Sequence, residues 1–176
     1  YSVLEKFGGF TKNSLKNTLK ISNKDSDTEL SSFSHSSYVD TEELGSVLLP
    51  HKSDFSVLSL NTQSLNAKFS KLCCILHDLK TQGFEFSAIC LQETWFDENC
   101  DPGQFDLPEY NLIWQPHSAS AHGGLACYIH KNFKYTVRDT VTKSKIWEAQ
   151  FIDIHGGNLA KCITIGNVYK PPKDNN

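Results

Sequence analysis

The sequence contains no methionine, and none of its apolar runs is long enough to cross a membrane. A membrane-spanning helix needs a run of roughly 18 or more apolar residues, so this absence excludes one. We expect no signal peptide in this sequence, because charged residues and glycines interrupt its first apolar cluster. Because the chain starts at Tyr1 without methionine or a visible cleavage signal, we expect a fragment of a longer reading frame.

Several motifs that carry chemistry in other proteins are also missing. The six cysteines show no C-x-x-C spacing, and none of the seven histidines forms an H-E-x-x-H motif. No P-loop, G-x-G-x-x-G or G-x-S-x-G motif occurs either. These absences argue against a zinc site of ordinary spacing. We expect the cysteines to be reduced structural thiols in an intracellular compartment.

Neither sign of charge is in large excess, since 17 basic and 20 acidic residues give a formal net charge of −3. This balance argues against a dedicated polycationic nucleic-acid binder but permits a nuclease with a local basic patch. Residues 85–110 hold seven acids and no base, whereas residues 128–173 hold eight bases and three acids. A basic region beside an acidic one suits a metal-dependent enzyme that binds a polyanion, and a solvated lysine face is the simpler alternative.

Residues 1–53 differ from the rest of the chain. They are rich in serine, with SSFSHSS at 31–37, and they show no sustained apolar period of 2 or 3.6 residues. Ordering a residue costs roughly 1–2 kcal/mol of backbone entropy, which such a polar segment buries too little surface to offset. We therefore predict a disordered leader over 1–53, with a short helix possible near 11–20, and a folded region over 54–176.

From residue 54 the apolar pattern predicts a strand, a helix and a second strand. The strands are DFSVLSL at 54–60 and FEFSAICLQ at 84–92. The helix over 64–80 has large apolar residues at spacings of 4, 3, 4 and 3, which are Leu65, Phe69, Leu72, Leu76 and Leu79. Such a crossover makes the two strands parallel, so Asn61 and Glu93 should meet at the same edge of the sheet. Ligands bind at that edge in sheets of this kind.

The remainder of the chain reads as β-structure. Turn signals separate five further candidate strands, at 110–115, 124–130, 135–141, 146–154 and 161–169. A strand-rich chain with helices on the outside predicts an α/β fold of the sandwich type.

Three residues are candidates for chemistry. Glu93 follows a buried strand, where its carboxylate is a suitable ligand for Mg²⁺, and Asn61 could supply an amide oxygen or orient that carboxylate. Tyr169 ends the last strand, where its phenol could hydrogen-bond a phosphate or a reacting oxygen. The alternative for each is structural: Asn61 and Glu93 would only cap turns, and Tyr169 would be an ordinary tyrosine at a strand end.

Five segments, taken in order, resemble one family. They are FSVLSLNTQSL at 55–65, AICLQETWF at 88–96, LPEYNL at 107–112, GGLACYIHK at 123–131 and IGNVYKPP at 165–172. The order and the residues of these segments resemble those of the endonuclease/exonuclease/phosphatase superfamily, which has the DNase I-like fold. Within it, the chain is most similar to the apurinic-endonuclease-like domain of LINE-type (non-LTR) retrotransposon polyproteins of the jockey kind.

The resemblance implies a two-sheet α/β sandwich with flanking helices and hydrolysis of a phosphodiester with Mg²⁺ or Mn²⁺. It implies nicking of double-stranded chromosomal DNA in the nucleus, in partnership with the element's RNA and the reverse transcriptase domain of the same polyprotein. By motif, Asn61 matches an active-site asparagine, Glu93 the metal-binding glutamate and Tyr169 the tyrosine near the phosphate.

The chain also departs from this family. The later Asp-x-Asn segment, a further aspartate and the terminal Asp-His pair are absent, so the resemblance covers only the N-terminal half of the domain. We expect the chain alone to be inactive and unstable or prone to aggregation. A non-catalytic remnant, or a module that binds nucleic acid or protein, is the alternative. A small phosphodiester or a phosphoinositide also remains open as the substrate.

Overall fold

The structure is a computed structural model that describes residues 39, 41–116, 123–138, 147–157 and 159–170. Two helices lie in these residues, α1 (Thr41–Leu48) and α2 (Leu65–Thr81). Seven strands accompany them: β1 (Val57–Asn61), β2 (Ala88–Gln92), β3 (Tyr110–Gln115), β4 (Leu125–His130), β5 (Lys134–Val137), β6 (Glu148–His155) and β7 (Ile163–Tyr169). No helix in the described ranges is long and apolar enough to cross a membrane.

The first sheet has the strand order β1-β2-β4-β3. Strands β1 and β2 are parallel, as the strand–helix–strand pattern predicts, and β4 is antiparallel to both β2 and β3. In the register of the parallel pair, Asn61 lies opposite Gln92, so Glu93 follows directly at the same edge. The prediction that Asn61 and Glu93 share one edge of the sheet is confirmed.

The second sheet is antiparallel, with the order β5-β6-β7, and it packs on strands β2 and β4 of the first. Apolar side chains from both sheets fill the space between them: Ala88, Cys90, Cys127, Ile129, Ile152, Ile154 and Ile165. Cys90 and Cys127 face each other across β2 and β4, with their sulfur atoms 3.2 Å apart. The chain is therefore a mixed α/β protein with two packed sheets.

Helix α2 covers the other face of the first sheet. Its buried residues Leu65, Leu72 and Leu79 belong to the core on that face, and Phe69 and Leu76 pack against it. Burying each large side chain stabilises the fold by roughly 1.5–3 kcal/mol. Strand β2 is covered on both faces, because Ile89 and Leu91 point to the helix-side core while Cys90 points between the sheets. A strand that is buried on both faces needs apolar residues at successive positions, which explains the continuous apolar run of β2.

The predicted leader and the structure differ over residues 41–51. Helix α1 and a short 3₁₀ turn at Leu49–His51 lie inside the segment predicted to be disordered. Leu48 is 4% exposed and joins the core beneath α2, and Leu44 packs against the same core. The pair Leu44 and Leu48, one helical turn apart, is too short a signal to stand out in a polar segment. The possible helix near 11–20 lies outside the described residues.

The later strands confirm the predicted pattern within about two residues where they are described. Strand β3 has the predicted bounds, and β4, β6 and β7 each begin one or two residues later than predicted. Strand β2 begins at Ala88 rather than at residue 84, although Phe84 and Phe86 are buried before it. Strand β5 ends at Val137, and residues 139–141 of its predicted range lie outside the described part of the chain.

Candidate active site

Asn61 and Glu93 are in direct contact at the end of the parallel pair. The Asn61 side-chain Nδ2 donates a hydrogen bond to Glu93 Oε1 at 2.7 Å. The other amide atom, Asn61 Oδ1, accepts from the backbone N–H of Gln63 at 3.3 Å. Both ends of the amide are thus engaged within the protein. Of the three sequence interpretations of Asn61, the geometry shows contacts that fit two: its Nδ2 orients the carboxylate of Glu93, and its Oδ1 caps the turn at Gln63.

Tyr169 reaches the same carboxylate from the second sheet. It ends β7, is 8% exposed, and its phenol forms a hydrogen bond with Glu93. Burial, that hydrogen bond and the charges of Glu93 and Glu148 raise the pKa of Tyr169 above its ordinary value. The phenol therefore stays protonated and donates to the carboxylate. The structure brings all three sequence-predicted residues together, and their catalytic role stays a prediction.

The chain segments that follow β1 and β2 have unusual backbone geometry. In the described residues, positive φ angles outside glycine occur at four positions, all in these two segments: Gln63 (46°), Ser64 (81°), Glu93 (52°) and Trp95 (60°). Such conformations cost on the order of 1–3 kcal/mol each and persist where the surrounding structure enforces them. The functional candidate Glu93 is one of them, so the fold holds its carboxylate at an energetic cost.

Backbone hydrogen bonds hold the Glu93 segment from both sides. Towards β1, the Ser64 N–H donates to Glu93 O at 2.9 Å and the Leu65 N–H donates to Thr94 O at 3.1 Å. Towards β4, the Thr94 N–H donates to Gly124 O at 3.2 Å and the Trp95 N–H donates to Gly123 O at 2.9 Å. The ladder therefore continues past the ends of the strands and fixes the direction of the Glu93 side chain.

Asn167 connects the two sheets beneath the site, and the sequence interpretation missed it. The side chain is 1% exposed, and its Nδ2 donates to Leu91 O and Ala126 O, each at 3.1 Å. Its Oδ1 accepts from Gln92 Nε2 at 2.5 Å. Residues two apart on a strand share a face, so the alternation from Ile165 through Asn167 to Tyr169 was a usable signal.

Glu148 is a buried carboxylate that the sequence interpretation treated only as one charge among many. It begins β6, is 5% exposed and lies opposite Tyr169 in the β6–β7 register. Its Oε2 accepts from the backbone N–H of Gly124 at 2.7 Å. Buried carboxylates are rare unless they are hydrogen-bonded, and the pairing that buries this one involves residues distant in sequence.

The charges around the site differ from the sequence expectation in two ways. First, a cation near Glu93, Lys68, lies on α2. Burial and the charge of Lys71 lower the pKa of Lys68, whereas the charge of Glu93 raises it. Second, in the predicted basic region Arg138 is paired with Asp153 at 2.8 Å. Three of the eight predicted bases lie outside the described ranges: Lys143, Lys145 and Lys173.

The predicted acidic region does not gather at the site edge. Glu85 and Glu109 lie at the opposite end of the first sheet, where both pair with Lys80, at 3.2 and 2.8 Å. A largely apolar groove of about 550 Å³ lies at that end, lined by residues that include Leu76, Phe84 and Tyr110. Of the acidic run, Glu93 is the member bound to Asn61 and Tyr169, whereas Glu85 and Glu109 precede β2 and β3 and so lie at the other end of the sheet.

The donor chemistry at Glu93 fits a hard divalent cation. Among the residues that the structure describes, no cluster of three or more histidine, cysteine, aspartate or glutamate side chains could hold a metal ion. Mg²⁺, however, keeps several waters and binds through one or two carboxylates together with substrate phosphates. A carboxylate oriented by an amide and a phenol has this chemistry, so Glu93 is the residue that would hold the ion.

Comparison of the chain with the models of known protein families gives no match, and comparison with curated proteins gives none either.

Proposed function

We propose that the chain is the N-terminal half of a DNase I-like, Mg²⁺-dependent DNA endonuclease. Its role would be to nick target DNA so that the exposed 3′-OH primes reverse transcription of a non-LTR retrotransposon. The observation that supports this most is the hydrogen-bonded trio of Asn61, Glu93 and Tyr169. The motif resemblance assigns these three residues to one active site, and they are in contact although they come from two different sheets.

Each member of the trio has a distinct role in this proposal. Glu93 would hold Mg²⁺ or Mn²⁺, which when bound polarises a phosphoryl oxygen and stabilises the leaving oxygen. Asn61 donates to the Glu93 carboxylate and keeps it in one orientation. Tyr169 remains a neutral donor because burial and nearby carboxylates raise its pKa, so it adds no negative charge where a phosphate must approach.

The proposed substrate is double-stranded DNA, with the element's RNA and the reverse transcriptase domain as partners and the nucleus as the place of action. Support for a polyanionic substrate comes from Lys68, whose ammonium lies within electrostatic reach of Glu93, and from Lys71 beside it on α2. Lysines that neutralise phosphates supply much of the affinity for DNA. By the resemblance, the remaining ligands and the general base would come from segments that this sequence does not contain.

A plasmid-nicking assay tests the proposal in the extended protein, by which we mean this chain together with the residues encoded after Asn176. With Mg²⁺, the wild type should convert supercoiled plasmid to the nicked form, and a chelator should stop it. Glu93→Gln should slow nicking by about 100-fold or more, because it removes the charge that holds the cation. Glu98→Gln, which changes an exposed acid in the same loop, is the matched control and should nick normally.

Equal nicking by the wild type and Glu93→Gln would contradict the proposed site. The alternative function, a non-catalytic module that binds nucleic acid, gives a different pattern. In that case the wild type binds DNA, and Mg²⁺ produces no nicks. A stop codon directly after Asn176 in the genomic reading frame would also favour this alternative.

A further inference from the structure

We propose that Glu148 is a positioning residue of the Asn61–Glu93–Tyr169 site, acting on Glu93 through the Gly123–Gly124 backbone. Only its effect on catalysis rests on the proposed function, because the positioning itself is a matter of geometry. Three features of the structure support this role: Glu148 is buried, it contacts the two glycines, and the glycines contact the Glu93 segment.

The carboxylate of Glu148 is held inside the protein by a short hydrogen bond. It is 5% exposed, and its Oε2 accepts from the Gly124 N–H at 2.7 Å. A hydrogen bond to an ionised acceptor is roughly twice as strong as one between neutral groups. Glu148 also lies opposite Tyr169 in the β6–β7 register, so one residue adjoins both the phenol and the Gly124 backbone.

The two glycines leave no room between Glu148 and the Glu93 segment. A Cβ atom on Gly123 would lie 2.5 Å from Glu148 Oε1, and one on Gly124 would lie 2.6 Å from Thr94 Oγ1. A side chain at Gly123 would have to displace the Glu148 carboxylate, and one at Gly124 would have to displace the Thr94 side chain. Gly124 also has a φ of 92°, which favours glycine independently. The carboxylate of Glu148 and the Thr94 side chain are thus packed on opposite sides of one thin backbone segment.

The carbonyl groups of the same glycines accept hydrogen bonds from the Glu93 segment. Gly124 O accepts from the Thr94 N–H at 3.2 Å, and Gly123 O accepts from the Trp95 N–H at 2.9 Å. Glu93 and Trp95 both have positive φ angles, so these bonds help to hold a conformation that the chain would otherwise leave. A change at Glu148 should therefore shift the Gly123–Gly124 backbone, and with it the segment that carries the Glu93 carboxylate.

Two variants of the extended protein separate positioning from general stability. Glu148→Gln keeps an oxygen that can accept from the Gly124 N–H, whereas Glu148→Ala removes it. We expect Glu148→Ala to accelerate amide hydrogen exchange locally at Thr94 and Trp95 while the amides of α2 keep their protection. Glu148→Gln should leave the exchange at Thr94 and Trp95 close to that of the wild type. Glu98→Gln is the control and should change neither.

Nicking kinetics give the catalytic consequence. Removal of a residue that orients a metal ligand typically costs 10–100-fold, so Glu148→Ala should lower kcat by about that factor. KM should change little, and Glu148→Gln should restore most of the rate. Unchanged exchange at Thr94 and Trp95 in Glu148→Ala would overturn the proposal. If that variant unfolds, faster exchange at these two amides in a folded Glu148→Gln would overturn it.

The two proposals fail in different ways. A wild type that does not nick DNA removes the proposed function, while the exchange measurement still decides whether Glu148 positions the Glu93 segment. Normal nicking by Glu148→Ala removes the catalytic effect assigned to Glu148 and leaves the proposed function standing.

Discussion

At the scale of single residues, Asn167 joins the two sheets. One buried amide donates to carbonyls on β2 and β4 and accepts from Gln92, so three strands depend on it. A buried polar group whose hydrogen bonds are all formed favours one packing of the sheets. Removing that group leaves its buried partners without hydrogen bonds. Asn167 therefore sets how β7, and with it Tyr169, sits against the first sheet.

Asn167→Ala should lower the free energy of unfolding by about 2–4 kcal/mol, since each of its three hydrogen bonds is worth roughly 0.5–1.5 kcal/mol net. Urea denaturation followed by circular dichroism measures this change. The control is Val168→Ala on the same strand, whose side chain is 50% exposed and should cost much less. Similar losses for the two variants would show that Asn167 contributes no more than a surface residue.

The difference between predicted and missed residues follows from what each depends on. Asn61 and Glu93 could be placed from the sequence because the ends of parallel strands meet by a local rule. The alternation along β7 could have shown that Asn167 shares a face with Ile165 and Tyr169. The partners of Asn167 and Glu148 depend on which strands pair and on how the second sheet lies on the first, and a single sequence does not show this. Lys68 was missed for a similar reason, since charge counts along the chain do not show which helix face approaches Glu93.

At the scale of elements, the residues Glu93–Trp95 directly after β2 are held by neighbouring segments rather than by local turns. Their backbone bonds run to the segment after β1 on one side and to Gly123 and Gly124 on the other. Of the elements, α2 and the strands of the first sheet were predictable because their apolar spacing is regular. Helix α1 was not, because its two core leucines are too few to form a period.

Gly124→Ala tests how tightly the Glu93 segment is packed. Gly83 provides a matched control, because its φ of 86° is similar and a Cβ there would meet nothing within 4 Å. Both substitutions carry the strain of a positive φ, and only Gly124→Ala adds a clash with Thr94. The free energy of unfolding should therefore fall by about 1–3 kcal/mol more in Gly124→Ala than in Gly83→Ala. Equal losses in denaturant titrations would indicate that the segment yields easily.

At the scale of the whole molecule, buried tyrosines make stability depend on alkaline pH. The Tyr110 hydroxyl donates to Phe86 O at 3.0 Å and the Tyr128 hydroxyl donates to Phe105 O at 2.7 Å. Burial is the main cause that raises the pKa of both residues above the ordinary value. Above about pH 10 the unfolded chain loses these protons and the folded chain keeps them, so the unfolded state is favoured as pH rises.

The free energy of unfolding should therefore be insensitive to these two residues below about pH 9 and should fall above about pH 10. Each tyrosine contributes a slope of at most about 1.4 kcal/mol per pH unit. Urea titrations between pH 7 and 11 measure this fall. Tyr128→Phe lowers stability at neutral pH, because Phe105 O loses its donor, but it should make the alkaline fall shallower. An unchanged slope in Tyr128→Phe would exclude Tyr128 as a source.

The hydrogen bond between Glu93 and Tyr169 joins the first sheet to the second. Asn61 and Glu93 belong to the first sheet and Tyr169 to the second. Their contacts therefore require the two sheets to be correctly aligned as well as folded. A small displacement of one sheet along the other would separate the phenol from the carboxylate while every strand kept its own hydrogen bonds. On warming or under pressure, the contacts among Asn61, Glu93 and Tyr169 should therefore be lost before the strands unfold.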